Sequence, residues 1–409
     1  MTEQRLAFMD EGVLDDPAPY YQELLGQPPF QDKETGLWVV SRDADVRDAL
    51  LNSEDFANRL TLFPHYPLCD EAMQVLGQLQ SVPATTAGGD GEVHARARAA
   101  IRATFPTSVS RAQRNMGQIV HEAVDDLATA LPRREQERGT VDLVHDFGWE
   151  LPLRVNMRIL GFPDDMYDKV KEWSVGQIAL TWGKLDPAGQ IQAAQGLVGL
   201  WQTCQSMVSV RRAMQANHLE LTDDMTSRLL LDGRLSDDEV ASVILNFAVA
   251  GHETTANAIG DASLHLLSQP GAWEELAQRS DDPSYVSGVV ERELALNPPI
   301  IGWSRVTNRL VEVSGVTIPA DQRVLLLLGA ANIDQHRMKQ ANDHVSFGLG
   351  LHYCVGAPLA RLEMADALST LARRYPDMQL QPEFAKKPGK FHANLGFRAL
   401  RSLPVVLYP

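Results

Sequence analysis

The chain has 409 residues, of which 44% are hydrophobic and 22% charged, so it can bury a large core and is not a disordered protein. Its formal net charge of −16 argues against nucleic acid or an anionic membrane as a partner. The three cysteines, Cys69, Cys204 and Cys354, form no CxxC pair, so neither a disulfide framework nor a structural zinc site is predicted.

No targeting or membrane segment is predicted. The first residues lack a basic region followed by an apolar stretch, as a secretory signal would require. The longest apolar run, Val240 to Ala250, is interrupted by Ser242 and Asn246 and is too short to span a bilayer. We therefore expect a protein of the reducing cytoplasm.

Helical periodicity dominates the chain. Apolar residues recur at three-to-four spacing in segments 17–26, 44–51, 94–105, 111–131, 149–160, 188–217 and 359–374. Strand-like segments are fewer, at 37–40, 311–318, 323–328 and 403–408. Because no repeat or flexible linker separates these segments, we expect a mainly α fold with small β-sheets, in one domain over residues 1–409.

Basic residues gather on the helix predicted at 94–105. His94 and Arg98 are one turn apart, so they face the same way and can bind one anion together. Other arginines lie nearby or in a second group, at Arg96, Arg102, Arg111, Arg114, Arg361, Arg373 and Arg374. Two interpretations stay open: a solvated surface, or a docking surface for an acidic protein partner.

One long, mostly apolar helix is predicted from Asp237 to Leu267. It begins with the capping box Ser236-Asp237-Asp238-Glu239 and ends before Gln269-Pro270-Gly271. This pattern is typical of a buried central helix.

Its middle carries the polar motif Ala250-Gly251-His252-Glu253-Thr254-Thr255. Burying such groups costs free energy unless partners or water satisfy them. A threonine can donate to a carbonyl one turn earlier and bend the helix, and Gly251 leaves room for a ligand. Ordered water in such a groove can relay protons, with Glu253 as the source and Thr254 orienting the water. The alternative is a helix-packing glycine with incidental polar neighbours.

The strongest pattern is Phe347-Gly348-Leu349-Gly350-Leu351-His352-Tyr353-Cys354-Val355-Gly356, directly before a helix predicted from about Ala357. A helix N-terminus favours the thiolate of a cysteine. The glycines permit a tight turn and close approach to a flat cofactor. One thiolate cannot hold zinc alone, but it can be the protein's ligand to an iron that a porphyrin already holds. Without this context a lone cysteine is usually a core residue.

The string 347–356 is similar to the haem-binding loop of the cytochrome P450 family, FxxGxHxCxG, at every specified position. Residues 250–255 resemble the family's acid–alcohol pair. The resemblance covers nearly the whole chain and implies a single-domain prism of about a dozen helices with small β-sheets. Haem b would lie between the long central helix, called I, and the helix after Cys354, called L.

The resemblance also implies roles for individual residues. Cys354 would ligate the iron, and Glu253 and Thr254 would be catalytic. The expected haem contacts are His94, Arg98, Ala250, Arg305, Phe347, Gly348, His352, Cys354 and Gly356, with His94, Arg98, Arg305 and His352 at the propionates. The expected substrate contacts are Asn246, Ala250, Ile300, Ile301 and Trp303, in a pocket that also draws on segments 60–80, 173–182 and 392–395.

The chain departs from the family in one structural network. The family has a Glu-x-x-Arg pair just before its Pro-Pro, but those positions here hold Arg292 and Ala295. The following loop is short, because only residues 333–343 separate Asn332 from His344. We expect a remodelled surface on the cysteine side of the haem, with Arg337 as a substitute partner, and not an inactive enzyme. The segment before His94 also lacks a proline usual in the family.

The resemblance implies a monooxygenase that inserts one atom of O₂ into a hydrophobic or aromatic small molecule, such as a natural-product intermediate. Electrons would come from a ferredoxin and an NAD(P)H-dependent ferredoxin reductase, which would dock on the basic residues of the early helix and around Arg361. Two alternatives stay open. One is a peroxygenase or non-oxygenating haem-thiolate enzyme, against which Glu253 and Thr254 weigh. The other is a haem- or ligand-binding protein whose catalysis has lapsed.

Overall fold

Helices make up most of the structure, and they occur along the whole chain. The computed structural model describes residues 4–10, 12–79, 81–334, 343–386 and 388–409. The α-helices within those residues are α1 (Ala18–Leu25), α2 (Asp43–Leu51), α3 (Asp70–Leu76), α4 (Gly91–Thr104), α5 (Val109–Arg138), α6 (Glu150–Leu160), α7 (Tyr167–Trp182), α8 (Pro187–Ala216), α9 (Met225–Asp232), α10 (Asp237–Ala250), α11 (Glu253–Ser268), α12 (Ala272–Gln278), α13 (Pro283–Leu296), α14 (Leu328–Ile333), α15 (Ala357–Arg374) and α16 (Pro382–Ala385).

The strands are short and form three small sheets. They are β1 (Phe30–Gln31), β2 (Trp38–Val40), β3 (Phe56–Ala57), β4 (Val141–Asp142), β5 (Trp303–Thr307), β6 (Val311–Val313), β7 (Val316–Ile318), β8 (Arg323–Leu326), β9 (Gln379–Leu380) and β10 (Pro404–Val406). The largest sheet has the order β1-β2-β8-β5-β3, and only its β2–β8 pair is parallel. The mainly α fold with small sheets is confirmed.

The segment predicted as one strand at 311–318 is a hairpin, so that prediction was wrong in detail. β6 and β7 pair antiparallel, with Val313 opposite Val316. Ser314 and Gly315 both have positive φ, at 46° and 78°, which is the backbone of a tight hairpin turn. The alternation of apolar residues shifts by one position at Ser314-Gly315, and this turn signal was overlooked in the sequence.

The long central helix is broken, contrary to the prediction of a continuous helix from Asp237 to Leu267. α10 ends at Ala250 and α11 begins at Glu253, with Gly251 and His252 between them. Asn156, on α6, donates from Nδ2 to the Phe247 carbonyl over 2.8 Å. A Cβ on Gly251 would lie 2.5 Å from this amide group. Gly251 therefore makes room for Asn156, and not for a ligand as the sequence suggested.

The helix after Cys354 lies in the interior of the protein. α15 packs against α5, α11, α12 and α13, and its buried residues belong to one hydrophobic cluster that includes residues from Leu6 to Leu407. α15, which begins three residues after Cys354, therefore packs against the second half of the broken helix. Among the residues described, we find no helix with the length and apolar character needed to cross a membrane.

Candidate active site

The cysteine loop is a tight turn that leads into α15. Gly348 and Gly350 have φ values of 66° and 67°, a region that strains other residues. The Cys354 N–H donates to the Phe347 carbonyl over 2.9 Å and closes the loop. Gly356 is the N-cap of α15, so the helix begins where the sequence predicted.

The Cys354 thiol is accessible, although many protein atoms lie around the sulfur. Burial raises the pKa of the thiol, and the N–H groups of Gly356 and Ala357 oppose this rise, with help from the charges of two arginines. The helix terminus thus favours the thiolate, as expected, but does not outweigh burial by itself. A metal cation bound to the sulfur would outweigh burial, because coordination removes the thiol proton.

The central helix has a short accessible stripe toward which a ligand could lie. Ala250 is exposed, and Asn246 and Thr254 are partly exposed, whereas residues 247–249, 252 and 253 are buried. The three accessible residues are four positions apart, so they share one face. The stripe is roughly 12 Å long at 1.5 Å per residue. It contains the predicted contacts Asn246 and Ala250 and the predicted catalytic residue Thr254.

Side chains satisfy two backbone carbonyls where the helix is broken. Thr254 Oγ1 donates to the Ala250 carbonyl over 3.0 Å, which is the bond that the sequence predicted. His252 Nδ1 lies 3.1 Å from the Ala248 carbonyl. Burial lowers the pKa of His252 to about 4, so the ring is neutral and donates through Nδ1. The break is therefore stabilised by the chain's own groups.

Glu253 is a buried carboxyl group with an oxygen that no group satisfies. Its Oε2 has no hydrogen-bond partner within the described residues. Burial raises the pKa of Glu253 to about 8, so the carboxyl keeps its proton at neutral pH. A protonated carboxyl is a hydrogen-bond donor as well as an acceptor. Glu253 is therefore able to donate a proton.

The predicted propionate-binding residues come together around Asp90. The rings of His94 and His352 stack with centroids 4.1 Å apart, and His352 Nε2 lies 3.6 Å from Asp90 Oδ1. Asp90 also raises the pKa of the buried Arg305, against the lowering effect of burial. Burial lowers the pKa of His94 to about 4, so His94 is a neutral donor at this site.

Arg98 and Arg305 have hydrogen-bond donors to spare. Arg98 Nη2 donates to the Tyr353 carbonyl over 2.9 Å, but its buried Nε has no partner among the described residues. Arg305 donates from Nη1 to the carbonyl of its neighbour Ser304 over 2.9 Å. Burial lowers the pKa of Arg305 to about 10, so it remains charged at neutral pH. Buried cations with unused donors suit an anionic ligand, which offsets their desolvation.

These features fit haem b. The accessible sulfur of Cys354 suits a metal, and the donors of Arg98 and Arg305 suit acidic groups at the edge of a cofactor. The accessible stripe of α10 and α11 suits a flat ligand. Of the remaining predicted contacts, Phe347, Gly348 and Gly356 all lie in the cysteine loop itself.

The predicted substrate residues near β5 differ in burial. Ile300 and Trp303 are partly exposed, whereas Ile301 is fully buried in the core. Trp303 stacks on Trp182, with centroids 5.6 Å apart. The His65 ring lies 4.4 Å from Trp182, and neither of its nitrogens has a partner in the part of the chain described. One buried imidazole therefore lies against Trp182, whose ring also stacks on Trp303.

Asp90, Asn156 and His65 are candidate site residues that sequence reasoning missed. Asp90 lies in the string noted only for its lack of a proline. Asn156 stands in the apolar helical segment 149–160, where an unexplained polar residue was the available signal. His65 lies in the predicted pocket segment 60–80, but nothing in the sequence singled it out within that segment.

Half of the arginines noted in the sequence are neutralised by carboxylates. The pairs are Arg96 with Glu239, Arg361 with Glu291, Arg373 with Asp281 and Arg374 with Asp125. Arg102, Arg111 and Arg114 are exposed and make no ion pair with any described residue. These three arginines, together called the basic patch below, retain a free positive charge.

The family's Glu-x-x-Arg pair is absent from α13. Arg292 is 46% exposed and approaches its neighbour Glu293, with 3.4 Å between Nε and Oε1. Ala295 is buried and has no polar side-chain atom. Arg337, the suggested substitute, lies outside the described residues.

Comparison with known proteins identifies relatives over nearly the whole chain. A family model described as cytochrome P450 matches residues 193–340. Cytochrome P450 107B1 of Saccharopolyspora erythraea is 31% identical over 90% of this chain and 88% of its own. Vitamin D(3) 25-hydroxylase of Pseudonocardia autotrophica is 30% identical over 89% of this chain and 87% of its own. The solved structure of cytochrome P450 CREJ with (4-ethylphenyl) dihydrogen phosphate has a TM-score of 0.86 and 28% identity, covering 99% of both chains.

Proposed function

Because this chain belongs to the cytochrome P450 family, as a monooxygenase with haem b as its cofactor, we propose that Cys354 is its thiolate ligand and that it oxygenates a hydrophobic or aromatic small molecule. The observation that carries this proposal is the accessible, enclosed sulfur of Cys354 at the start of α15. Arg98, Arg305 and His352 would hold the propionates. When bound, haem supplies the activation of O₂ and the transfer of one oxygen atom.

Glu253 and Thr254 would deliver protons at the broken helix. The Glu253 carboxyl is protonated at neutral pH and buried beside the break. The Thr254 hydroxyl uses its hydrogen to bond the Ala250 carbonyl, so its oxygen is left to accept a hydrogen bond from water. A proton can then pass from Glu253 Oε2 through water oriented at Thr254 Oγ1.

The substrate class is proposed from the apolar and aromatic groups at β5. Trp303 is partly exposed and stacks on the buried Trp182, and Ile300 adds a partly exposed apolar side chain. One relative is named for hydroxylation of vitamin D3, and one solved neighbour holds an aryl phosphate. These names support an apolar or aromatic substrate, such as a natural-product intermediate.

We also propose that the electrons come from a ferredoxin and its NAD(P)H-dependent reductase. The basic patch would attract an acidic partner, even though the chain as a whole is acidic. Residues 1–409 would act as one haem-thiolate domain, which the shared hydrophobic cluster supports.

The test combines the substitutions Cys354→Ala and Thr254→Ala. C354A should abolish the thiolate-type spectrum of the reduced carbon monoxide complex, because the sulfur ligand is lost. T254A should keep that spectrum but divert roughly half or more of the consumed NAD(P)H to peroxide, because the water that carries the proton is no longer oriented. Thr254→Ser, which keeps the hydroxyl, is the control. A thiolate-type spectrum in C354A, or coupled turnover in T254A equal to wild type, would refute the corresponding role.

A further inference from the structure

Glu291, on α13, binds two basic side chains at once. Arg361 Nε lies 2.5 Å from Glu291 Oε1, and Arg361 Nη2 lies 3.0 Å from Oε2. His344 Nε2 approaches the same Oε2 at 3.2 Å. Burial would raise the pKa of Glu291, but the bonds from His344 and Arg361 outweigh it and lower the pKa to about 2. Glu291 is therefore a partly buried, permanently charged centre, and Arg361 binds it as a two-point fork.

Both partners of Glu291 contact the cysteine loop. The Arg361 guanidinium lies 4.4 Å from the centre of the Phe347 ring and donates to the Tyr353 hydroxyl over 3.3 Å. Phe347 accepts the closing bond of the loop from Cys354. His344 lies in the segment that leads into the loop, and its Nδ1 accepts a hydrogen bond from the Ser346 N–H over 3.2 Å. One carboxylate thus supports both ends of the segment 344–354.

Neutral hydrogen bonds join the same segment to the C-terminal turn of α13. Ser346 Oγ donates to the Leu294 carbonyl over 2.7 Å. Asn332 donates from Nδ2 to the Ala295 carbonyl and to Ser346 Oγ, at 3.1 and 2.8 Å, and its Oδ1 accepts from the Val345 N–H at 2.8 Å. Ala295 therefore helps to hold this segment through its backbone carbonyl, although its side chain has no polar atom.

We propose that the cluster of Glu291, Arg361 and His344 positions the cysteine loop in place of the missing Glu-x-x-Arg network. These are positioning residues, because they act through Phe347 and Tyr353 and not on the reacting atoms. The inference rests on the proposed role of Cys354 as the iron ligand. Because Glu291 neutralises Arg361, the charge of Arg361 is not available for docking an acidic partner.

The test compares E291Q with E293Q. Glu293 is on the same helix and is buried, but it pairs with His265 at 2.8 Å and with Asn297 at 3.2 Å, and not with the loop. In E291Q we expect the thiolate-type carbon monoxide complex to decay to the inactive form roughly tenfold faster on mild warming, because a charged two-point bond is lost. E293Q should lower the unfolding midpoint while that decay, measured below unfolding, stays at the wild-type rate.

A double-mutant cycle and a conservative variant complete the test. E291Q and R361Q should not be additive in the double variant, because each breaks the same contact. R361K keeps the positive charge but not the two-point fork, so its carbon monoxide complex should decay at an intermediate rate. R361K replaces E291Q in the test if E291Q does not accumulate. A wild-type decay rate in both E291Q and R361K would overturn the inference, and so would additive effects in the double variant. If E291Q cannot be made, a wild-type decay rate in R361K alone would overturn it. A wild-type protein without a thiolate-type spectrum would instead refute the proposed function.

Discussion

Glu253 illustrates how one buried group makes the stability of this protein depend on pH. Burial raises its pKa from 4.5 to about 8. Between these two values the unfolded chain has lost the proton while the folded chain keeps it. The free energy of unfolding therefore falls as pH rises through this window, and the contribution is fully present below it.

We predict that Glu253→Gln removes this dependence. At about pH 9 the variant should be more stable than wild type, by up to about 5 kcal/mol at 1.36 kcal/mol per pKa unit. At about pH 3 the two proteins should be equally stable, because wild-type Glu253 is then protonated in both states. Urea unfolding across the pH range checks this. A difference that is constant with pH would contradict it.

For individual residues, motifs within a few neighbouring positions could be predicted from the sequence, whereas contacts between distant segments could not. Cys354, its glycines and the Thr254 back-bond follow from patterns within a few residues, where the physics is local. The association of Asp90 with His352, or of Glu291 with Arg361, depends on how α4, α13 and α15 pack. Such long-range pairs carry no periodic signal in a single sequence.

Among the elements, the broken helix departs furthest from its sequence pattern. Capping and stop signals gave both ends of the predicted helix correctly, to within a residue. The break itself depends on Asn156, which reaches across from α6. α7 was not predicted at all, because its apolar residues are spread around the helix and show little periodicity.

We predict that Gly251→Ala destabilises the protein by about 1–3 kcal/mol, as expected for a side chain forced into occupied space. The new Cβ would lie 2.5 Å from the Asn156 amide. Asn156→Ala should also destabilise, since the Phe247 carbonyl loses a donor. The double variant should cost less than the sum of the two, because it removes the clash. Urea unfolding of all four proteins measures this coupling, and strict additivity would show that Asn156 is not what Gly251 accommodates.

The whole molecule is strongly acidic, yet the basic patch is locally positive. With a formal net charge of −16, the protein would repel an acidic partner except where positive charge is left unpaired. Within the arginine groups noted in the sequence, the ion pairs formed by Arg96, Arg361, Arg373 and Arg374 leave unpaired charge on the exposed basic patch. Composition alone could not reveal this distribution.

We predict that Arg114→Glu slows reduction by a ferredoxin by about tenfold at low ionic strength and weakens its dependence on salt. Arg133→Glu is the matched control, since Arg133 is 83% exposed on the same helix, α5, but already pairs with Glu137. Stopped-flow reduction measures both variants. Peroxide-supported turnover should be unchanged in each. Equal slowing in the two variants would mean that net charge, and not this surface, governs encounter.

The bend between α10 and α11 has a consequence for the timing of catalysis. Asn156, His252 and Thr254 hold the distorted backbone with groups that belong to the chain. The distortion is therefore completed while the polypeptide folds, and no reactant has to induce it. If water relays protons here as proposed, each turnover would start from backbone that already has the required shape, so the enzyme would not repeat that reorganisation.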